Sequence, residues 1–276
     1  MLEIAIRAAR EAGQILAEKY NRPHEILLKG LRDITTEADL AAEAAVLGIL
    51  RQSCPNARLV SEETCNTWQQ DDSIPTWYVD PLDGTTNYAR GLPMFSVSIA
   101  MAQGNRVQCG AVYDPLLDQL FYAERGQGAY LSYRQLGSDK RLWVSARSRL
   151  IDGLAMLDWP RDEIPRKAIA RALLRLAPQV DAVRSRGSAA LGFAGVAAGW
   201  ADIYFQFTLK PWDVAAGVLL IEEAGGMVTD PRGRPYSLQQ PAWLATNGLL
   251  HEAALGVLAQ DEEPICPLCP VADKGT

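Results

Sequence analysis

An α+β fold, with helices layered on sheet, is what the sequence predicts, and three observations predict it. The chain opens on two helical stretches. It continues through segments in which apolar and polar residues alternate between glycine-containing turns. It then switches to short strands and helices in alternation.

The start, MLEIAIRAAREAGQILAEKY, sets Leu2, Ala5, Ile6, Ala9, Gly13 and Leu16 along one stripe, the pattern of an amphipathic helix. Glu3, Arg7, Arg10 and Glu11 interrupt the apolar residues, so the stretch lacks the unbroken apolar region of a signal peptide. HEILLKGLRDITTEADLAAEAAVLGIL then gives a short apolar run, a polar turn and a helix from about Glu37 to Arg51. Asp33, Thr35 or Thr36 supplies its cap, and Asp39 lies in its first turn, where the helix dipole favours an acid.

ARLVSEET and PTWYVDPLDGTTN are short apolar runs that stop in acids, and from Pro93 to Tyr130 the segments FSVSIAMA, VQCGAVYD and DQLFYAER read as successive antiparallel strands. Polarity rises from Gly137 in GSDKRL, which divides the chain into residues 1–140, a helix pair plus antiparallel sheet, and residues 141–260, a smaller α/β half. That half contains LAMLDW, a helix from about Ile164 to Leu176, DAVRSRGS, a small-residue helix from Ala189 to Gly199, ADIYFQF, and a helix in PWDVAAGVLLIEEAGG that Gly225 and Gly226 stop. Residues 261–276 read as a flexible tail.

At 276 residues, 48% hydrophobic and 22% charged, the chain has the composition of an ordinary globular protein rather than of a disordered or fibrous one. No stretch is apolar over the roughly 18 residues a membrane span needs. A net charge of −6 without a Lys/Arg cluster argues against a nucleic-acid surface, so an anionic ligand has to be met by local design. Cys54, Cys65, Cys109, Cys266 and Cys269 are an odd set without a framework spacing, which points to reduced thiols and a cytoplasmic protein. Cys266 and Cys269 form a lone CxxC in a proline-rich tail with no nearby histidine, and read as a tail feature rather than a metal site.

Several apolar runs therefore end in acids: Glu62 and Glu63, Asp80 and Asp83, and Asp213 at a helix start. Each alone suits a turn or a first helical turn. Together, if the run ends converge, their repulsion must be relieved by protonation or by a cation. All are oxygen donors, and the chain's 2 histidines, His24 and His251, lie elsewhere, so the expected ion is Mg²⁺, with Mn²⁺ a second fit. The spacing of DPLDGTTN is not that of an EF-hand, nor of the DxD of haloacid dehalogenase phosphatases, and GxxxxGK[ST] and GxSxG are absent. A helix beginning at Gly84 or Thr85 would turn free N–H groups toward whatever the cations hold, which reads as phosphate.

In this order and at these spacings, DITTEAD, VSEET, WYVDPLDGTTNY, RGSAAL, AAGWADIYF, PWDVAAG and EEAGG resemble the inositol monophosphatase family of metal-dependent phosphatases, from about Met1 to Leu258. The resemblance implies an αβαβα layered sandwich of the inositol monophosphatase and fructose-1,6-bisphosphatase type, a homodimer, two or three Mg²⁺ per subunit, and inhibition by Li⁺. It implies that Glu62, Asp80 and the Leu82 carbonyl hold a first ion, that Asp80 bridges to a second held also by Asp83 and Asp213, and that a third leans on Glu62. It implies that Asp39 and Thr85 orient the attacking water. Gly84 and Thr85 amides would take the phosphoryl oxygens, and Gly187 and Ser188 would face the substrate alcohol. Lys29 stands near a position where the family often has a lysine, but at a different local spacing, and receives no role.

The implied activity is hydrolysis of a small phosphorylated metabolite, a polyol phosphate with inositol monophosphate first and histidinol phosphate or fructose 1,6-bisphosphate next. Seven residues before Asp213, where the family commonly has a sugar-binding Glu, this chain has Gln206, which keeps hydrogen bonding but removes a charge. A regulatory binding protein that retains the site is the reading from another class.

Overall fold

The computed structural model describes residues 1–65, 73–133 and 137–258. The tail from residue 261, with Cys266 and Cys269, lies outside the described residues.

Helices α1 (Leu2–Lys19) and α2 (Glu37–Ser53) flank a hairpin of β1 (Ile26–Gly30) and β2 (Asp33–Thr36). Of the three expected caps of α2, Thr36 is the one used: its hydroxyl accepts from the Ala38 amide while the Asp39 carboxylate accepts from the Thr36 amide. Next come β3 (Arg58–Ser61), β4 (Thr76–Asp83), the short helix α3 (Thr85–Ala89), and the meander β5 (Ser96–Gln103), β6 (Arg106–Asp114), β7 (Gln119–Glu124), β8 (Gly128–Tyr133) and β9 (Asp139–Arg141). These strands form one sheet in the order β3-β4-β5-β6-β7-β8-β9, antiparallel except for the parallel pair β3 and β4.

The rest of the chain gives β10 (Leu154–Leu157), α4 (Glu163–Leu176), β11 (Ala182–Arg184), α5 (Ala189–Ala197), β12 (Ile203–Gln206), α6 (Pro211–Glu223), β13 (Met227–Thr229), β14 (Trp243–Thr246) and α7 (His251–Leu258). Its strands make a second sheet, β11-β10-β12-β14-β13, parallel across β11, β10 and β12 and antiparallel beyond.

Alternation along the strands decides which helix meets which face. Trp77, Val79, Val97, Ile99 and Ala111 of the large sheet pack against Ala5, Ala9, Leu16, Ala42 and Val46 of α1 and α2. The opposite-facing Tyr78, Ala100, Val112 and Phe121 meet α5 and α6, which in turn meet Tyr204, Trp243 and Ala245 of the small sheet. The far face of that sheet, Leu157, Ile203 and Phe205, packs on Ile169 and Val257 of α4 and α7. The layers are therefore helix, sheet, helix, sheet, helix, an αβαβα sandwich. Because α5 and α6 lie between two sheets, the nine residues of α5 are buried throughout and α6 is buried continuously from Val214 to Ile221. Close approach there needs glycine: a Cβ on Gly217 would sit 2.4 Å from the Phe193 Cβ.

Candidate active site and metal centre

Parallel pairing of β3 with β4 sets the C-terminal ends of the two strands side by side, with Ser61 opposite Val79. The Glu62 amide donates to the Val79 carbonyl at 3.1 Å, so Glu62 leaves β3 directly beside Asp80. Two strand residues three apart ordinarily face opposite ways. Between Asp80, opposite Ser98, and Asp83, opposite Ser96, β4 carries one residue more than β5 does, and this bulge returns Asp83 to the side of Asp80. The Leu82 amide closes the bulge by donating to Asp80 Oδ1 at 3.0 Å. Asp213 arrives from the other half of the chain in the first turn of α6, its Oδ2 accepting from the Lys210 amide at 2.7 Å.

Glu62, Asp80 and Asp213 each offer a carboxylate oxygen, and these oxygens all lie within 4.8 Å of one another. Asp80 is buried, whereas Glu62 and Asp213 stay partly open to solvent. Burial first, and then the neighbouring charges of Glu62, Asp83, Asp213 and Asp39, raise the Asp80 carboxyl well above its usual range. Asp213 is pushed up to about 8 by burial, with Glu62 and Asp83 adding to it. Carboxylates so crowded fit a hard divalent cation: all donors are oxygens, no thiol or imidazole is among them, and their mutual repulsion is what an ion would relieve.

Asp83 is close by but engaged differently. Its Oδ2 accepts from the Ser188 hydroxyl at 2.6 Å and from the Ala190 amide at 2.7 Å, at the start of α5. Burial raises its carboxyl, and these hydrogen bonds oppose the shift. Ser188 is fully buried, lies 3.1 Å from the Ser96 hydroxyl and caps α5 through the Leu191 amide, so its hydroxyl sits beneath Asp83 rather than at an open surface.

After Asp83 the backbone turns at Gly84, whose φ of +104° suits glycine and which leaves no room for a Cβ, 3.0 Å from the Met94 carbonyl oxygen and 3.1 Å from that of Gly187. That turn starts α3 and points the Thr85 hydroxyl at Asp39 Oδ1, 3.0 Å away, with the Leu82 carbonyl an alternative acceptor at 3.1 Å. Asp39 is itself 1% exposed and accepts at Oδ2 from the Thr36 amide at 2.8 Å and hydroxyl at 2.5 Å. Burial lifts its carboxyl to about 6 against the pull of those hydrogen bonds.

Gly187 is exposed, with φ +72°, and its amide donates to Asp158 Oδ1 at 2.6 Å. Gln206 ends β12 buried, and its Oε1 is turned onto the Thr208 amide at 2.6 Å. Asp39, Glu62, Asp80, Leu82, Asp83, Gly84, Thr85 and Asp213 are thus gathered by the ends of β3 and β4 and the starts of α2, α3 and α6, while Gly187 and Ser188 join through the start of α5.

Three residues at the site were not assigned from the sequence. Lys29 reaches across from β1, its Nζ 2.9 Å from Glu63 and 3.3 Å from Glu62; a hairpin crossing by Lys29 leaves no periodic trace. Asp158 accepts from the Ser185 hydroxyl, the Gly187 amide and the Tyr204 hydroxyl, and so holds the loop before α5. Arg161 lies three residues on, with Nη2 3.6 Å from Glu62 and Nη1 3.0 Å from Asp33. The signal for Asp158 was legible: LAMLD is one more apolar run that stops in an acid.

Known proteins match this architecture along nearly the whole chain. The model of the inositol monophosphatase family covers residues 1–263. Inositol monophosphatase 2 of Solanum lycopersicum is 36% identical over 267 residues, 95% of this chain and 98% of the relative. The Nus factor SuhB of Escherichia coli is 41% identical over 242 residues, 84% of this chain and 86% of the relative. Among solved structures, the extragenic suppressor protein suhB of Bartonella henselae superposes with a TM-score of 0.86 at 34% identity, covering 94% of this chain and 98% of its own. The acidic ends of β3, β4 and the start of α6, the αβαβα layers and these matches lead to one conclusion: the chain belongs to the inositol monophosphatase family.

Proposed function

We propose that this phosphatase hydrolyses the phosphate monoester of a small polyol in a Mg²⁺-dependent reaction, with inositol monophosphate the first candidate and histidinol phosphate or fructose 1,6-bisphosphate next. The observation that carries the reading is the convergence of Glu62, Asp80 and Asp213 oxygens within 4.8 Å, beside a Thr85–Asp39 pair. Glu62, Asp80, the Leu82 carbonyl, Asp83 through its second oxygen, and Asp213 would hold two or three Mg²⁺; Mn²⁺ suits the same donors. Ions held there would supply charge neutralisation at the phosphate, a more acidic attacking water and stabilisation of the leaving alkoxide.

The chain's own groups do the rest. Thr85 donates its hydroxyl proton to Asp39 Oδ1 and so presents a lone pair to the attacking water, which donates to Thr85 Oγ1; Asp39, its carboxyl raised by burial, is placed to take up a proton from the water through Thr85. Gly84 and Thr85 amides hold phosphoryl oxygens without a positive side chain. Ser188 and the Ala190 amide fix Asp83, and Gly187 and Gln206 border the alcohol. Family likeness adds a homodimer, Li⁺ sensitivity and a cytoplasmic site of action, in keeping with free thiols at Cys54, Cys65 and Cys109; no helix among the described residues is long and apolar enough to cross a membrane.

The test is colorimetric phosphate release from a panel of polyol and histidinol phosphates with and without Mg²⁺. Turnover that requires Mg²⁺ is expected; none on any ester would sink the reading. That second outcome would favour a regulatory binding role, for which the observation is that relatives 41% identical carry the name Nus factor.

A further inference from the structure

Around the acidic centre sit cations that the chemistry above does not use. The chain carries a net −6, yet Lys29 Nζ and Arg161 Nη2 both turn onto Glu62, at 3.3 and 3.6 Å. Lys29 is tied more closely to Glu63, at 2.9 Å, and its side chain is 27% exposed. Arg161 is 49% exposed, and its backbone is pinned on both sides: Arg32 Nη1 donates to the Arg161 carbonyl at 2.7 Å, and Arg166 Nη1 to the Pro160 carbonyl at 2.7 Å. The loop that presents it also holds Gly187 through Asp158, so Arg161 belongs to the substrate side of the site. The charges that act on it are Glu62, Asp33, Asp213 and Asp80.

Glu62 cannot give its oxygens to cations and keep its pairing with Arg161 unchanged. With Glu62 engaged, Arg161 Nη2 is left at the rim while Nη1 stays 3.0 Å from Asp33, and the freed end is a charged donor suited to a carboxylate or phosphate. Gln206, where an acid would repel a second anion, is neutral. We infer that Arg161 is a specificity-determining residue that receives a second anionic group, carboxylate or phosphate, on the same small molecule whose ester phosphate lies at Glu62, Asp80 and Asp213. The inference rests on the phosphatase reading and narrows its substrate class. The competing role, a strut that pins the β1–β2 hairpin through Asp33, would change all esters alike.

Matched pairs separate the two. The kcat/KM for 3-phosphoglycerate is compared with that for glycerol 1-phosphate, and for fructose 1,6-bisphosphate with that for fructose 1-phosphate, in the parent chain, Arg161→Gln and Arg161→Lys. The parent is expected to favour the doubly anionic member of at least one pair by about tenfold or more. Which pair shows the preference tells carboxylate from phosphate. In Arg161→Gln the ratio falls toward one, carried by KM, and Arg161→Lys restores part of it. Calorimetry on Ca²⁺-loaded protein reads the same contrast as binding, without turnover. Parent ratios near one, or a ratio unchanged in Arg161→Gln, overturn the inference while leaving the phosphatase reading intact. Turnover of inositol 1-phosphate with none of the four esters overturns the inference alone, and turnover of no ester at all overturns both.

Discussion

At Thr85 the water-orienting role proposed for its hydroxyl can be separated from packing. In Thr85→Val the Asp39 carboxylate keeps its Thr36 partners and loses only the 3.0 Å bond, so folding weakens by about 1 kcal/mol while kcat falls by about 100-fold or more. Steady-state kinetics beside thermal melts separate the two, and a kcat within a fewfold of the parent would remove Thr85 from the water-orienting role. Proton linkage gives a second test. Asp39 rises from 3.8 to about 6 and Asp213 from 3.8 to about 8, burial being the main cause in both. A carboxyl raised in the folded state stabilises below its unfolded value, and that contribution is lost as pH climbs through the folded one. In EDTA the Tm should therefore fall from about pH 5 to about pH 8, and Mg²⁺ should restore most at the upper end; a Tm that rises over that range without metal would contradict the burial argument. The acids themselves were legible as run ends. Arg161 was not, because an arginine in a loop has no pattern until the fold carries it to Glu62.

At the scale of elements, α1 was legible from its single apolar stripe and β5 to β7 from alternating segments between glycine turns, whereas α6, buried along Val214–Ile221 between the sheets, was legible from its apolar run and the Gly225–Gly226 stop. The bulge in β4 had no such signal, as it shows only when β4 is laid against β5, and it is what turns DPLD from two opposed aspartates into two neighbours. In the sequence the hairpin β1–β2 shows only an apolar run and a turn, not its pairing. The β1 strand is exposed throughout, so no alternating burial marked it. Gly84 tests the element-level account. A Cβ there meets two carbonyl oxygens at 3.0 and 3.1 Å in a left-handed backbone, so Gly84→Ala should cost about 2 kcal/mol in chemical denaturation and lower activity further by displacing Thr85. An alanine variant as stable and active as the parent would show that the turn is not fixed by this contact.

Across the whole molecule, the site joins the two sheets. Glu62 and Asp80 come from the large sheet, Asp213 from α6, which is packed between the sheets and closes on Gly110 of β6 so tightly that a Cβ there would lie 2.9 Å from the Ala216 Cα. A cation bound by all three links the layers, so saturating Mg²⁺ should raise the midpoint of one cooperative unfolding transition rather than of one of two. Scanning calorimetry that resolved a Mg²⁺-sensitive step from a separate insensitive one would argue otherwise. The central claim, that these three acids make a Mg²⁺ centre that drives hydrolysis, is tested most directly by phosphate release from inositol 1-phosphate at rising Mg²⁺, in the parent and in Asp213→Asn. No release is expected in EDTA, saturable activation by Mg²⁺ in the parent, and in the variant a kcat/KM lower by about 100-fold or more with a higher Mg²⁺ requirement. Release in EDTA, or an Asp213→Asn variant that matches the parent at every Mg²⁺ concentration, would contradict it.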